Sequence, residues 1–208
     1  MPTFSETSNT FPCVTIEPKI LYFGTPVVLI STLNEDNSVN LAPMSSAWAL
    51  GQNIILGLGT NGKTFENLTR SKECVLNIPS EDLWQAVERL APLTGKNPVP
   101  ESKATQFRYE REKFVVSRLT PMSSVSVQPP RVAECQLQFE GRVRNIIAIG
   151  GENSGMSAIE VQVIKVHADP GIVHGNHIDP TMWHPLIYNF RHYFGLGKEL
   201  GKTFRAEL

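Results

Sequence analysis

Fifteen prolines are scattered through this chain from Pro2 to Pro185, and the two longest stretches without one are residues 44–78 and 131–169. A proline inside a helix costs about 3 kcal/mol or more, because it removes a hydrogen bond and clashes with the preceding turn. A bundle of long helices is therefore excluded. The proline-free stretches themselves read as strand. Cys135, Leu137, Phe139, Gly141 and Val143 alternate with Gln136, Gln138, Glu140, Arg142 and Arg144, the period of a strand with one buried and one wet face. Ile159, Val161 and Val163 alternate with Glu160 and Gln162 in the same way, until Ile164 and Val166 shift the phase. A bulge near Val163 accounts for that shift.

Upstream, residues 26–33 (PVVLISTL) and 39–48 flank the turn formers Asn34-Glu-Asp-Asn-Ser38, which predicts an antiparallel hairpin. Residues 53–59 (NIILGLG) and 73–78 (ECVLNI) are further strands, with a short helix over 64–71 between them. A second helix follows, with Ser80 as N-cap, Glu81 and Asp82 in its first turn, and Leu83, Val87, Leu90 and Ala91 at helical spacing before Pro92. Residues 92–131 read as an irregular, proline-rich excursion with a short helix near 102–107. Successive strands with few helices between them predict a mainly antiparallel sheet closed into a barrel.

The composition supports one packed domain: 208 residues, 41% of them apolar and 19% charged. Nineteen Lys and Arg against twenty Asp and Glu leave a net charge of −1, unlike the basic excess of a nucleic-acid binder. Apolar runs such as Val27 to Ile30 fall far short of the ~18 residues of a membrane span. The start, Met1-Pro-Thr-Phe-Ser, has no basic or apolar signal region. Cys13, Cys74 and Cys135 are odd in number and without a CxxC, a usage that suits a reducing compartment. The expectation is a cytoplasmic protein with no nucleic-acid or membrane partner.

One motif invites a different reading. Gly57-Leu-Gly-Thr-Asn-Gly62-Lys63-Thr64 satisfies both G-x-x-x-x-G-K-[ST] and G-x-G-x-x-G, between a strand and a helix. A P-loop belongs to a parallel sheet, however, and the strands here read as hairpins; two helical turns before residue 73 are too few for a βαβ crossover. A P-loop NTPase is the disfavoured alternative. The local physics remains that of an anion site: glycines expose backbone N–H groups, the helix start carries partial positive charge, and Lys63 and Thr64 add a cation and a hydroxyl.

Taken in order, Pro26-Val-Val-Leu-Ile-Ser-Thr, Val39-Asn40-Leu-Ala-Pro43-Met-Ser45-Ser46, Lys63-Thr64-Phe-Glu-Asn67-Leu, Glu73-Cys-Val-Leu-Asn77 and Pro129-Pro-Arg131-Val-Ala-Glu134-Cys135 resemble the flavin reductase-like family of FMN-binding split barrels, in its flavoredoxin-like branch. The likeness runs from about Leu21 to Asp179, and Tyr193-Phe-Gly-Leu196-Gly197 resembles the family's closing element. The resemblance implies a Greek-key split barrel over residues 12–182, after a flexible segment 1–11 and before an aromatic tail, 183–208, packed on the barrel or on a dimer partner. It implies a homodimer holding FMN noncovalently. Asn40, Leu41, Ala42, Pro43, Met44, Ser45 and Ser46 would then run beside the isoalloxazine. Gly59, Thr60, Asn61, Lys63 and Thr64, with Asn67, would hold the phosphate, and Tyr193 would line the flavin pocket. The implied activity is electron transfer from NAD(P)H through FMN to flavin or another acceptor; an electron carrier without turnover is the alternative. No catalytic acid or base is assigned.

Other constellations lead nowhere specific. His174 and His177 have a spacing some metal sites use, without a completing cluster, so no metal is expected. Cys135 reads as a small buried apolar residue. The tail from Trp183 holds six of the seventeen aromatics, which suits a cover over an open barrel end.

Overall fold

In the computed structural model, residues 13–151 and 153–204 are described; the segment 1–11 lies outside them. The main strands are β1 (Phe23–Pro26), β2 (Val28–Leu33), β3 (Val39–Met44), β4 (Ala47–Leu50), β5 (Asn53–Gly59), β6 (Glu73–Ile78), β7 (Leu137–Ile149) and β8 (Met156–Ala168). Helix α1 (Lys63–Ser71) joins β5 to β6, and α2 (Trp84–Leu90) and the short α3 (Lys113–Ser117) follow β6. Two late strands complete a small separate sheet: β9 (Ile187–Asn189) pairs with β1, and β10 (His192–Phe194) pairs with β9.

The large sheet has the order β3-β2-β6-β7-β8-β5-β4, and every neighbouring pair is antiparallel. Its two outermost strands, β3 and β4, are separated in sequence by Ser45 and Ser46 alone. Three residue steps span at most about 10 Å, so the two edges must curl toward one another. The Gly57 amide donates to the Ser46 carbonyl at 2.7 Å and pins the link to β5. A closed but split antiparallel barrel results. The continuous strand predicted over 39–48 is in fact two strands on opposite edges, because this link turns the corner.

The predicted hairpin is formed by β2 and β3. The Asn34 amide donates to Ser38, Asn37 adopts φ 62°, and Asp36 accepts from the Ser38 amide and hydroxyl. Both faces of β2 are apolar because both are covered. Val28 and Ile30 face the barrel interior with Leu56, Leu76, Ile159 and Val161, and Leu68 of α1 plugs that cluster. Val27 and Leu29 face outward into a second cluster under Val87 and Leu90 of α2, together with Leu41 and Cys135. Cys74 is buried as well, and its thiol is pushed up to about 12 by burial and the Glu73 charge.

Several expectations need correction. Ser80 begins a 3-10 turn (Glu81–Leu83) ahead of α2, and its hydroxyl bonds the Asp82 carboxylate instead of capping a backbone amide. The helix expected near 102–107 is a 3-10 turn over Glu101–Lys103, whereas α3 and a parallel bridge between Leu93–Thr94 and Arg108–Tyr109 were not signalled. The predicted bulge is present: Glu140 pairs with Lys165 but Gly141 with Val163, leaving Ile164 over.

The wet face predicted for β7 is also wrong at one end. Glu140 is fully buried and Gln138 nearly so. The Glu140 carboxylate accepts from the amides of Val125 (2.8 Å) and Ser126 (2.5 Å) and meets His167 Nε2 at 2.7 Å. Burial works to raise its pKa, but these donors outweigh burial and hold it below the usual carboxylate range. The loop before Arg131 is thus clamped onto what alternation marks as a solvent face. Replacing Glu140 by Gln leaves a buried amide donor facing amide donors, a loss of about 1–3 kcal/mol, to be read from urea unfolding at neutral pH. Because the folded pKa is depressed, the wild-type contribution should be present above pH 4.5 and vanish as pH falls through the folded value; the Gln variant should lack that acid-sensitive component.

Candidate functional site

The loop Thr60–Gly62 leaves β5 and runs into α1. Thr60 donates its amide to the Gly155 carbonyl at 2.9 Å, and the Asn61 side-chain amide donates to Ser102 Oγ at 3.1 Å. The N-cap residue Gly62 supplies no side-chain cap, so the first amides of α1 are left to other acceptors. Because β5 is antiparallel to both its neighbours, β4 and β8, the Walker-like spelling sits in a barrel and not in a P-loop fold.

Beneath this loop lies a polar network built from three elements. Asn40, at the start of β3, donates its side-chain amide to Thr64 Oγ1 of α1 (3.0 Å) and to Thr32 Oγ1 of β2 (3.3 Å). Asn67 of α1 donates to Thr32 Oγ1 (3.0 Å) and Asn34 Oδ1 (2.9 Å). All four of Thr32, Asn40, Thr64 and Asn67 are buried, and their mutual bonds lock the helix start against the hairpin. Asn40, Lys63, Thr64 and Asn67, selected from sequence, are therefore brought together.

Lys63 is not a lone charge. Its ammonium bonds Glu35 at 2.7 Å and reaches Glu66 at 3.5 Å. Burial works against the charge, but these carboxylates outweigh it and hold the pKa above the usual lysine range. Lys96 is likewise paired with Glu66. Two other lysines from the 92–131 excursion converge here and enter no ion pair among the described residues. A Cβ placed on Gly62 would lie 3.6 Å from Lys103 Nζ, which sets that ammonium beside the helix start; burial and then the neighbouring Lys96 depress its pKa. Lys113, 3% exposed, donates to Asn40 Oδ1 at 2.9 Å, and its ammonium has no other hydrogen bond among the described residues. Burial, with Lys103 adding repulsion, pushes it down to about 8 although Glu110 favours the charge. Gly95 permits this crowding, since a Cβ there would fall 2.5 Å from Asn40 Oδ1 and 3.2 Å from Lys63 Cγ.

From this cation cluster β3 leads away along the open sheet edge. It pairs with β2 alone in the large sheet, and Pro43 suits such an edge because it has no N–H to leave unpaired. Leu41 turns its side chain into the core under α2, and Met44 packs on the barrel interior. Ala42, Pro43, Ser45 and Ser46 remain half-buried along the split. At about 3.3 Å per residue, Ser46 stands at most about 20 Å from Asn40. The strip thus runs from a positive end to unpaired strand backbone.

Tyr193 is placed elsewhere. Its hydroxyl donates to Glu88 of α2 at 2.9 Å, and its ring packs against Trp84 and Tyr188; burial and the Glu88 acceptor push its phenol well up. With Glu81 and Phe194 it borders a cavity of about 310 Å³. Trp183 and Pro185 border another, about 210 Å³, with Trp48 and Phe139 at one barrel mouth. His174 faces His177 across a two-residue ribbon, and among the described residues no three His, Cys, Asp or Glu are grouped to hold a metal.

Sequence reasoning missed Lys96, Ser102, Lys103 and Lys113. They lie in a segment without periodicity and meet α1 only through contacts 30 or more residues distant in the chain, as Lys96 does with Glu66; no spacing rule reports such contacts.

Comparison with known proteins agrees with this architecture. Residues 20–197 match the family described as flavin reductase like domain, and the chain belongs to that family. It is 50% identical over 194 residues to the uncharacterized protein YdfE of Bacillus subtilis (strain 168), covering 92% of this chain and 93% of that one. Flavoredoxin of Desulfovibrio vulgaris (Miyazaki F) superposes with a TM-score of 0.78 at 20% identity, over 94% of this chain and 99% of its own. Nitrilotriacetate monooxygenase component B from Bacillus cereus gives 0.75 at 17%, over 93% and 100%. The split-barrel fold is shared with both, and family membership supports a flavin-linked oxidoreductase as the functional class.

The lysine cluster makes a stability prediction. Holding Lys113 near 8 instead of its usual 10.5 opposes folding at neutral pH by on the order of 3 kcal/mol, against about 1 kcal/mol for its bond to Asn40. Lys113→Met should therefore raise the melting temperature of the ligand-free protein by a few degrees at neutral pH. Wild-type stability should climb as pH rises from about 8 to 10.5, where the unfolded chain binds the extra proton. Calorimetric scans of the variant should show no such climb.

Proposed function

We propose that the protein is an FMN-dependent oxidoreductase that draws electrons from NAD(P)H and delivers them to flavin or another small acceptor. The reading is carried by one observation: two lysines without carboxylate partners stand at the head of an open strand edge, Lys103 beside the uncapped first turn of α1 and Lys113 linked to it through Asn40. A phosphate monoester carries about −1.5 to −2 charges near neutral pH, which suits two uncompensated cations and a helix N-terminus. The family supports a flavin as the bound group, and the residues present fit its mononucleotide form.

Lys103 with Thr60, Asn61 and Gly62 would hold the phosphate. Asn40 would fix the start of β3 through Thr32 and Thr64, so that the edge from Ala42 to Ser46 offers backbone groups and two hydroxyls to the polar rim of the ring. FMN supplies the two-electron chemistry when bound, accepting hydride and releasing electrons. The protein's own work is to anchor, orient and shield, and no side chain is assigned a proton-transfer role. A second copy of the chain is the proposed cover for exposed Trp48 and Leu50 on β4 and for Ile147 and Met156 on the β7–β8 hairpin.

Purified protein should be yellow, and heat should release a compound with the mass of FMN. In titrations of flavin-free protein, loss of a charge-assisted phosphate contact of about 1.5–3 kcal/mol predicts that Lys103→Ala weakens FMN about tenfold to a hundredfold. Lys63→Ala should cost less, since Glu35 and Glu66 already neutralise that charge. Unchanged affinity in the Lys103 variant would place the phosphate elsewhere. Absence of flavin affinity, or of NAD(P)H oxidation with FMN added, would defeat the assignment as a whole.

A further inference from the structure

Lys113 is a buried cation that adds charge to the proposed site but bonds none of the residues assigned to the phosphate. It lies at the start of α3, and Asn40 Oδ1 is its acceptor at 2.9 Å. Asn40 in turn bonds Thr64 in the first turn of α1 at 3.0 Å, so two hydrogen bonds connect the Lys113 ammonium to the helix start. A buried charge satisfied only by a neutral amide is costly unless an opposite charge arrives.

Among the described residues no carboxylate pairs with Lys113 in the ligand-free protein. From the preceding loop, Glu110 favours the Lys113 charge from a distance but forms no ion pair with it, and Glu112 is turned toward Arg111. On α2, Arg89 bonds the Ser117 carbonyl and Glu88 is occupied by Tyr193. The excursion contributes Lys103, a like charge, and Lys96, which Glu66 holds. On α1, Lys63 is taken by Glu35 and Glu66, and β3 carries no titratable residue. An anion at the helix start is what this pocket lacks.

We propose that Lys113 is a positioning residue that couples binding of the phosphate group at the start of α1 to the uptake of one proton. The inference rests on the phosphate placement proposed above. In the free protein the side chain gives up its proton above about pH 8. A dianion at Thr60–Thr64 adds negative potential over the Asn40–Thr64 link and neutralises the opposing Lys103, which favours the charged form. Below about pH 8 both states hold the proton and binding is pH-neutral. Above it, binding draws a proton from solvent, and affinity falls by up to tenfold per pH unit. The ammonium formed holds Asn40, and through it the start of β3, in the geometry that meets the ring.

The test is titration calorimetry of FMN into the flavin-free, full-length protein, in buffers of different ionisation enthalpy, at about pH 7 and about pH 9. Wild type should take up close to one proton per FMN at the higher pH and close to none at the lower, and riboflavin, which lacks the phosphate, should cause no uptake. Lys113→Arg stays charged at both pH values; it should bind FMN with pH-independent affinity and no uptake, and Lys113→Met should also lose the uptake. FMN binding without proton uptake in wild type, equal uptake in the Arg variant, or equal uptake with riboflavin would each overturn the coupling while leaving the flavin assignment in place. Failure of FMN to bind at either pH would instead remove the flavin assignment, and the coupling with it.

Discussion

Everything in this fold follows from a two-residue tether. Ser45 and Ser46 connect β3 to β4, the outermost strands of a seven-stranded sheet, and so short a link forces the two edges together. Closure gives the barrel its interior, where Val28, Ile30, Leu56, Leu76, Ile159 and Val161 are shielded on all sides. Because β3 and β4 do not pair with each other, closure is incomplete. Gly57 lies against the tether, where a Cβ would meet Ser46 Cβ at 3.0 Å, so the corner is packed as tightly as backbone allows. The split that remains exposes strand backbone beside a helix start, and unpaired backbone groups are what a planar polar ligand can satisfy.

The second constraint is electrostatic. Burying Thr32, Asn40, Thr64 and Asn67 together costs little because they satisfy one another, whereas burying the Lys113 ammonium beside them does cost. Stability alone would favour an apolar residue at that position. Under the proposed function the cluster is a site held ready for an anion, with part of the folding free energy withheld until the anion binds. The same division appears among the other lysines: Lys63 and Lys96 are spent on Glu35 and Glu66, structural partners that hold α1 and the excursion together, and Lys103 is not.

In this chain the 92–131 excursion therefore does more than decorate the barrel. It delivers Ser102, Lys103 and Lys113 to the helix start, and its far end is clamped by Glu140, by Glu73 through the Gln128 amide, and by Arg142 on the Ser126 carbonyl. Changes in this segment would alter the proposed anion site and the placement of the loop over the barrel at once.

Residue order alone determined much of this protein. Prolines excluded a helical bundle, period-two alternation drew β7, β8 and the bulge between them, turn formers placed the β2–β3 hairpin, and the Gly62-Lys63-Thr64 run marked the start of α1. These are local effects, set by backbone dihedrals and neighbouring side chains, and a linear string records them. Alternation failed at Gln138 and Glu140, since which face stays wet depends on whether a distant loop returns to cover it. Periodicity also ran straight through Ser45 and Ser46, where only the competing pairings with β2 and β5 divide the strand. Tertiary structure alone decided that Lys63 would be neutralised by Glu35, and that Lys103 and Lys113 would carry the uncompensated charge at the site. Charges act through space, and their partners are set by which segments the closed barrel brings together.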